Sequence, residues 1–227
     1  MGPTALITGA SRGVGAAVAR ELAPTHDLIL GASRASSLTG ILGELPGAAG
    51  WPVDLVDHAA VVRMSAPITR LEVLVHCAAV TELSSVADSD LGQWRRTLDL
   101  NLVAVAELTR LLLPALRAAN GHVVLINSGA GQFVNPGRGV YAASKFGLRA
   151  WGDALRAEEP ALRVTSIFPG RIDTDMQRKN AETEGFEYRP ELYLTARTVA
   201  RVVRNAVDTP RDGHPTEIVL RPYPHPR

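Results

Sequence analysis

Short runs of consecutive apolar or β-branched residues alternate along the chain with longer stretches in which apolar positions recur every three or four residues. Runs of the first kind predict strands buried on both faces, and stretches of the second kind predict helices that bury one stripe. On this pattern strands fall over residues 4–8, 27–30, 51–53, 73–76, 122–127, 163–168 and 217–220. Helices fall over residues 14–23, 37–45, 58–65, 91–117, 140–158 and 195–207, with Pro114 expected to bend the end of the long fourth one. Nearly continuous apolar strands separated by helices predict an α/β fold, a doubly wound parallel sheet in three α/β/α layers. Such a sheet holds its ligands at the carboxyl ends of the strands, where the strand order reverses. No composition break and no repeat divides the chain, so residues 1–227 are expected to form a single domain. Two stretches lack the rhythm: residues 175–190, polar with scattered aromatics and expected to be loose, and the Pro-rich residues after Leu220.

Composition narrows the function classes. The charges nearly cancel, 24 Lys and Arg against 23 Asp and Glu, so no field favours nucleic acid or an anionic membrane. Cys77 is the single cysteine, which allows no internal disulfide. No apolar run reaches the length of a membrane helix, and the opening MGPTALITGA has no basic segment ahead of its apolar one. The expectation is a cytoplasmic protein. The six histidines, at 26, 58, 76, 122, 214 and 225, are scattered without metal-ligand spacing.

Candidate chemistry begins at Thr8-Gly9-Ala10-Ser11-Arg12-Gly13-Val14-Gly15, where the first strand hands over to the first helix. Gly9 allows a tight exit from the strand. Gly13 and Gly15 let backbone and helix N-terminus approach a diphosphate, which the free N–H groups and helix dipole favour. The end of the second strand faces the ribose 2′ position in such folds. It reads Gly31-Ala32-Ser33-Arg34, without a carboxylate, and Arg12 lies in the glycine turn. Two guanidiniums and a hydroxyl suit a 2′-phosphate, hence NADP(H), unless both arginines are merely solvated. Further along, Tyr141 and Lys145 stand at i and i+4 on one helix face. An ammonium close to a phenol favours its ionised form, as proton transfer at neutral pH requires. Ser128 ends the fifth strand, thirteen residues before Tyr141.

The octet resembles the TGxxxGxG signature of the short-chain dehydrogenase/reductase family, a branch of the Rossmann fold, and Tyr141-Ala-Ala-Ser-Lys145 resembles its YxxxK motif. The serine-to-tyrosine spacing is similar to the family's as well. The resemblance implies a catalytic tetrad of Asn101, Ser128, Tyr141 and Lys145, with Asn101 positioning a water that links Lys145 to solvent. It implies cofactor contacts from Ser11, Val14, Asp54 and Leu55 after the third strand, Ala78 after the fourth, and Pro169, Gly170, Ile172 and Thr174 after the sixth. Where the family usually carries NNAG, this chain reads His76-Cys77-Ala78-Ala79. His76 reads as a packed structural histidine rather than a base, and Cys77 as a small buried hydrophobe. The activity implied is hydride transfer between NADPH and a ketone or aldehyde, or the alcohol in reverse, with Tyr141 as acid/base. A non-catalytic NADP(H)-binding regulator of the same fold is the alternative, and it predicts a broken tetrad. An epimerase or dehydratase uses similar Tyr–Lys chemistry but usually has a larger substrate domain. Phe133, Val134 and Met176 are candidates to line the substrate pocket, under a lid at 175–190. By analogy, helices 91–117 and 140–158 pair into a homodimer. A tetramer is the less expected assembly, because the chain lacks the longer glycine-containing ending of tetrameric relatives.

Overall fold

The structure is a computed structural model that describes residues 2–223. The strands are β1 (Thr4–Ile7), β2 (Asp27–Ala32), β3 (Ala49–Pro52), β4 (Val73–His76), β5 (His122–Ile126), β6 (Arg163–Pro169), the short β7 (Ile172–Asp173) and β8 (Leu194–Thr195), and β9 (Glu217–Leu220). The helices are α1 (Gly13–Leu22), α2 (Ala35–Glu44), α3 (His58–Ser65), α4 (Leu91–Leu98), α5 (Ala104–Ala119), α6 (Gly139–Glu158), α7 (Asp175–Glu184) and α8 (Ala196–Asp208). Seven strands form one parallel sheet in the order β3-β2-β1-β4-β5-β6-β9, so the winding reverses between β1 and β4. β7 and β8 pair separately beside it.

Neighbouring side chains on a strand point to opposite faces, and each face has its own core. Ile7, Val75, Val124 and Ile167 pack under α1, α2 and α8 through Ala19, Leu38 and Val203. Leu6, Leu74, Val123 and Leu125 pack under α3, α5 and α6 through Val61, Leu108 and Leu148. Sheet strands buried on both sides explain why their sequences are apolar throughout rather than alternating.

Three expectations are corrected. The helix expected over 91–117 is two helices, α4 and α5, joined by a π-helical turn at Asp99–Val103. The wider turn accommodates Asn101, which is 1% exposed and whose amide is bound to a distant backbone. α5 carries Pro114 inside it and runs on to Ala119, where Asn120 turns left-handed at φ +47°. Residues 175–190 are not loose: they contain α7, whose start Thr174 caps by accepting from the Gln177 N–H and whose end is Gly185 at φ +71°. Capping chemistry forms this helix although only Gln177, Asn180 and Ala181 on it are buried. β3 runs from Ala49 rather than Trp51, and Val53 follows it with its N–H on the Ala32 carbonyl, 2.8 Å away. In the Pro-rich ending, residues 224–227 lie outside the described residues.

Candidate active site

Where the strand order reverses, Thr8 ties β1 to the end of β4. Its hydroxyl oxygen accepts from the N–H groups of Cys77 and Ala78, at 3.1 and 3.2 Å. These two bonds tie down the chain at Cys77, where the resemblance implies an Asn. Thr8 is thus a positioning residue, which its place in the glycine signature alone does not reveal. The glycines beside it are there by steric necessity. Gly9 has φ +65°, and a Cβ on it would lie 2.9 Å from the Ala78 backbone. A Cβ on Gly15 would lie 2.2 Å from the Gly9 carbonyl oxygen. Gly13 also turns left-handed, at φ +56°. No side chain caps α1 at Arg12, so its first N–H groups remain available to an external acceptor.

A cleft of about 860 Å³ opens over this turn, lined by Gly9, Ser11, Arg12, Gly13, Val14 and Gly15. Ser33, Arg34, Asp54 and Leu55 line one end of the cleft walls, and Ala78, Tyr141, Lys145, Ile172 and Thr174 also line it. Ser33 and Arg34 are exposed beyond β2, and Arg34 makes no ion pair among the described residues. Arg12 reaches Asp175 at 3.4 Å, but both side chains are about three-quarters exposed, so the pair holds Arg12 only weakly.

Ser128, Tyr141 and Lys145 meet where this cleft joins a second cavity of about 410 Å³. Ser128 follows β5 in extended conformation, and its hydroxyl oxygen accepts from the Ala130 N–H at 3.1 Å. Tyr141 lies in the first turn of α6, and Lys145 one turn later. The Lys145 Nζ donates to the Ile126 carbonyl at 3.0 Å and lies 5.8 Å from the centre of the Tyr141 ring. Asn127, unremarked in the sequence, holds the pieces together. Its Oδ1 accepts from the Ser128 N–H at 2.8 Å, and its Nδ2 donates to the Lys145 carbonyl at 3.1 Å.

Electrostatics here depart from one expectation. Burial pushes the Tyr141 phenol up, and the opposing influences are the Ser128 hydroxyl and the Arg138 charge, not Lys145. Lys145 is itself pushed down to about 8 by burial, and its amine is held at the Ile126 carbonyl. Asn101 differs too, because it lines neither cavity. Its Oδ1 accepts from the Val80 N–H at 2.9 Å, while its Nδ2 donates to the Val80 carbonyl at 2.9 Å and to Ser144 Oγ at 3.1 Å. Ser144 in turn donates to the Tyr141 carbonyl at 2.7 Å. Asn101 therefore braces α6 through Ser144, with both of its amide hydrogens on protein acceptors.

The second cavity shares Asn127, Tyr141, Ile172, Thr174 and Met176 with the first. Pro169 and Gly170 line this cavity rather than the larger one. Phe133 and Met176 contribute to its wall. Val134 does not, being 58% exposed and outside both cavities. α7 supplies Met176, Gln177 and Asn180 to this wall. Arg138 and Arg171 line this cavity as well, and Arg178 lines the larger one.

His76 and Cys77 carry no acid–base or nucleophilic chemistry. Thr109 donates its hydroxyl hydrogen to the Val105 carbonyl, so it accepts from His76 Nε2, 2.9 Å away, and leaves Nδ1 bare and buried. Burial drives the Cys77 thiol up to about 12. His122 repeats the histidine pattern against Thr165. Burial holds both histidines near 3. In the unfolded chain each takes up a proton below about pH 6.5, which the folded protein refuses down to about 3. Stability is therefore unaffected by them above pH 6.5 and falls as pH drops below it, by about 1.4 kcal/mol per unit for each histidine. The urea midpoint is expected to fall steeply between pH 7 and 5. A flat midpoint over that range contradicts the assignment.

A doubly wound parallel sheet with a glycine turn at the reversal of strand order, and Ser, Tyr and Lys at the strand ends beside it, defines a Rossmann-type dinucleotide fold. A family model described as short chain dehydrogenase matches residues 3–185, and the chain belongs to this oxidoreductase family. It is similar to the glycine betaine reductase of Emericella nidulans, 34% identical over 99% of the chain, which spans only 19% of that protein. An uncharacterized short-chain type dehydrogenase/reductase of Sinorhizobium fredii is 31% identical, over 96% of this chain and 90% of the relative. Among solved structures, the alcohol dehydrogenase of Thermococcus sibiricus, complexed with 5-hydroxy-NADP, superposes with a TM-score of 0.88 at 26% identity over 99% of both chains. Among the described residues no helix is long and apolar enough to cross a membrane.

Proposed function

We propose that this protein is an NADP-dependent carbonyl reductase, converting a ketone or aldehyde to the alcohol and reversibly oxidising it. One observation carries the reading: Ser128, Tyr141 and Lys145 converge at the junction of a long cleft with a second cavity. The cleft fits the dinucleotide, since its floor is a turn in which a Cβ on Gly9 or Gly15 would fill the backbone contact, and α1 presents uncapped N–H groups. When bound, the nicotinamide supplies or accepts the hydride. Ser128 orients the carbonyl oxygen from the second cavity. Tyr141 gives that oxygen its proton, and a phenol raised by burial stays protonated at neutral pH, as a donor must. Lys145, on the same helix face, lines the cleft and in this reading binds the nicotinamide ribose. Asn101 fixes the position of α6 through Ser144.

Ser33, Arg34 and Arg12 supply the preference for NADP. Arg34 has no carboxylate to neutralise it among the described residues, and the carboxyl end of β2 carries no acidic side chain to accept from a 2′-hydroxyl. Arg34→Ala is expected to lower kcat/KM for NADPH by about 10–100-fold, the size of a lost charge-assisted hydrogen bond, with little change for NADH. Equal losses with both cofactors, or a wild-type preference for NADH, contradict it.

A further inference from the structure

The second cavity has a wall of one charge. Arg138, Arg171 and Arg221 line it, and no Asp or Glu does. One carboxylate, Glu184, serves the first two, 2.7 Å from Arg138 and 4.0 Å from Arg171. Arg221 has no carboxylate among the described residues.

The fold places Arg221 with care. β9 pairs with β6 so that Leu220 lies opposite Pro169, and the chain leaves the sheet beside the Pro169-Gly170 turn. Arg221 Nη1 donates to the Phe168 and Leu220 carbonyls at 2.7 and 3.2 Å, and Nη2 donates to Gln132 Oε1 at 2.8 Å. These bonds and the Phe133 ring, 5.7 Å away, fix the guanidinium plane. The Nε–H and one Nη2–H remain without an acceptor among the described residues. A Cβ on Gly129, the residue after Ser128, would lie 3.3 Å from the Phe133 ring and 3.6 Å from Nη2, so ring and guanidinium both stand close to the chain at Ser128. Gln177 on α7 lines the same cavity, and its buried Nε2 has no acceptor among the described residues.

We propose that the cavity takes a carbonyl compound bearing a carboxylate, a keto acid whose reduced partner is the hydroxy acid, with Arg221 as the residue that reads the carboxylate. The proposal rests on the carbonyl reductase reading and names its substrate class. Ser128 and Tyr141 hold the oxygen to be reduced, and Arg221, which lines the same cavity, holds the other end. A rigid, half-satisfied guanidinium gives a planar anion a bidentate seat at little entropic cost. The same wall repels a cationic carbonyl compound.

The test compares acetoacetate and benzoylformate with their methyl esters, using NADPH and wild-type protein, Arg221→Met and Arg221→Lys. Wild type is expected to favour the acids over the esters by about tenfold or more in kcat/KM. Arg221→Met removes that preference by raising KM for the acids about 10–100-fold, while ester turnover and NADPH affinity stay within about threefold, and Arg221→Lys restores part of it. Equal use of acids and esters by wild type overturns the proposal, and so does an equal loss with both in Arg221→Met. Calorimetry of 3-hydroxybutyrate binding to the NADP-loaded protein separates the two readings. Arg221-dependent binding with no reduction of any probe upholds the carboxylate seat and removes the reductase. Neither binding nor preference removes the seat.

Discussion

Tyr141→Phe is expected to lower kcat for carbonyl reduction by about 10²–10⁴-fold, the usual contribution of a positioned proton donor. The substitution keeps the ring, which is 9% exposed in the first turn of α6, and removes only the oxygen. Apart from the Ser128 hydroxyl beside it, the bonds that shape the site do not use that oxygen. Lys145 donates to the Ile126 carbonyl, Asn127 spans Ser128 and Lys145, and Asn101 braces α6 through Ser144. The melting temperature and NADPH affinity of the variant should therefore stay close to wild type. That separation is the informative part: steady-state kinetics must fall while calorimetry and cofactor titration do not. Nearly full retained turnover would remove Tyr141 from the proton-transfer role.

Gly15→Ala is expected to damage both stability and cofactor binding. The added methyl group would sit 2.2 Å from the Gly9 carbonyl oxygen and 2.7 Å from its carbon, backbone atoms that cannot rotate aside. Gly9 is pinned in turn, at φ +65° and against the Ala78 backbone, which Thr8 holds by its hydroxyl. The turn must open, at a cost of about 1–3 kcal/mol or more. For a chain of this size that lowers the melting temperature by about 2–4 °C per kcal/mol. Opening the turn also displaces the first N–H groups of α1, to which the proposed function assigns the cofactor diphosphate, so the Kd for NADPH should rise about tenfold or more. Scanning calorimetry and fluorescence titration measure the two effects, and a variant unchanged in both contradicts the role given to this turn.

Much of the fold was legible because its signals are local. Leu6 and Ile7 are both apolar because the two faces of β1 are both covered, and the same holds for every central strand. The glycine octet and the Tyr141–Lys145 pair were legible because each falls within a single turn, where spacing dictates proximity. What the sequence hid depends on distant partners. The π-helical turn at Asp99–Val103 exists with Asn101 bound to Val80, twenty-one residues away. α7 was missed because a helix whose exposed face is almost wholly polar has no apolar period to read, although Thr174 and Gly185 carry its capping signals. Arg221 sits in a Pro-rich ending, and only the pairing of β9 with β6 brings it to the cavity. The Tyr141 environment was misjudged for the same reason: i and i+4 put Lys145 near the ring, but burial and the Ile126 carbonyl decide what its amine does.

Hydride transfer itself is the central claim, and isotope transfer tests it most directly. The protein would be incubated with NADPH deuterated at nicotinamide C4 and with a panel of ketones, aldehydes and keto acids, and the products analysed by mass spectrometry and NMR. The account predicts an alcohol carrying one deuterium on the carbinol carbon, formed by wild type and almost lost in Tyr141→Phe. NADPH that binds tightly yet yields no deuterated alcohol from any member of the panel would contradict it.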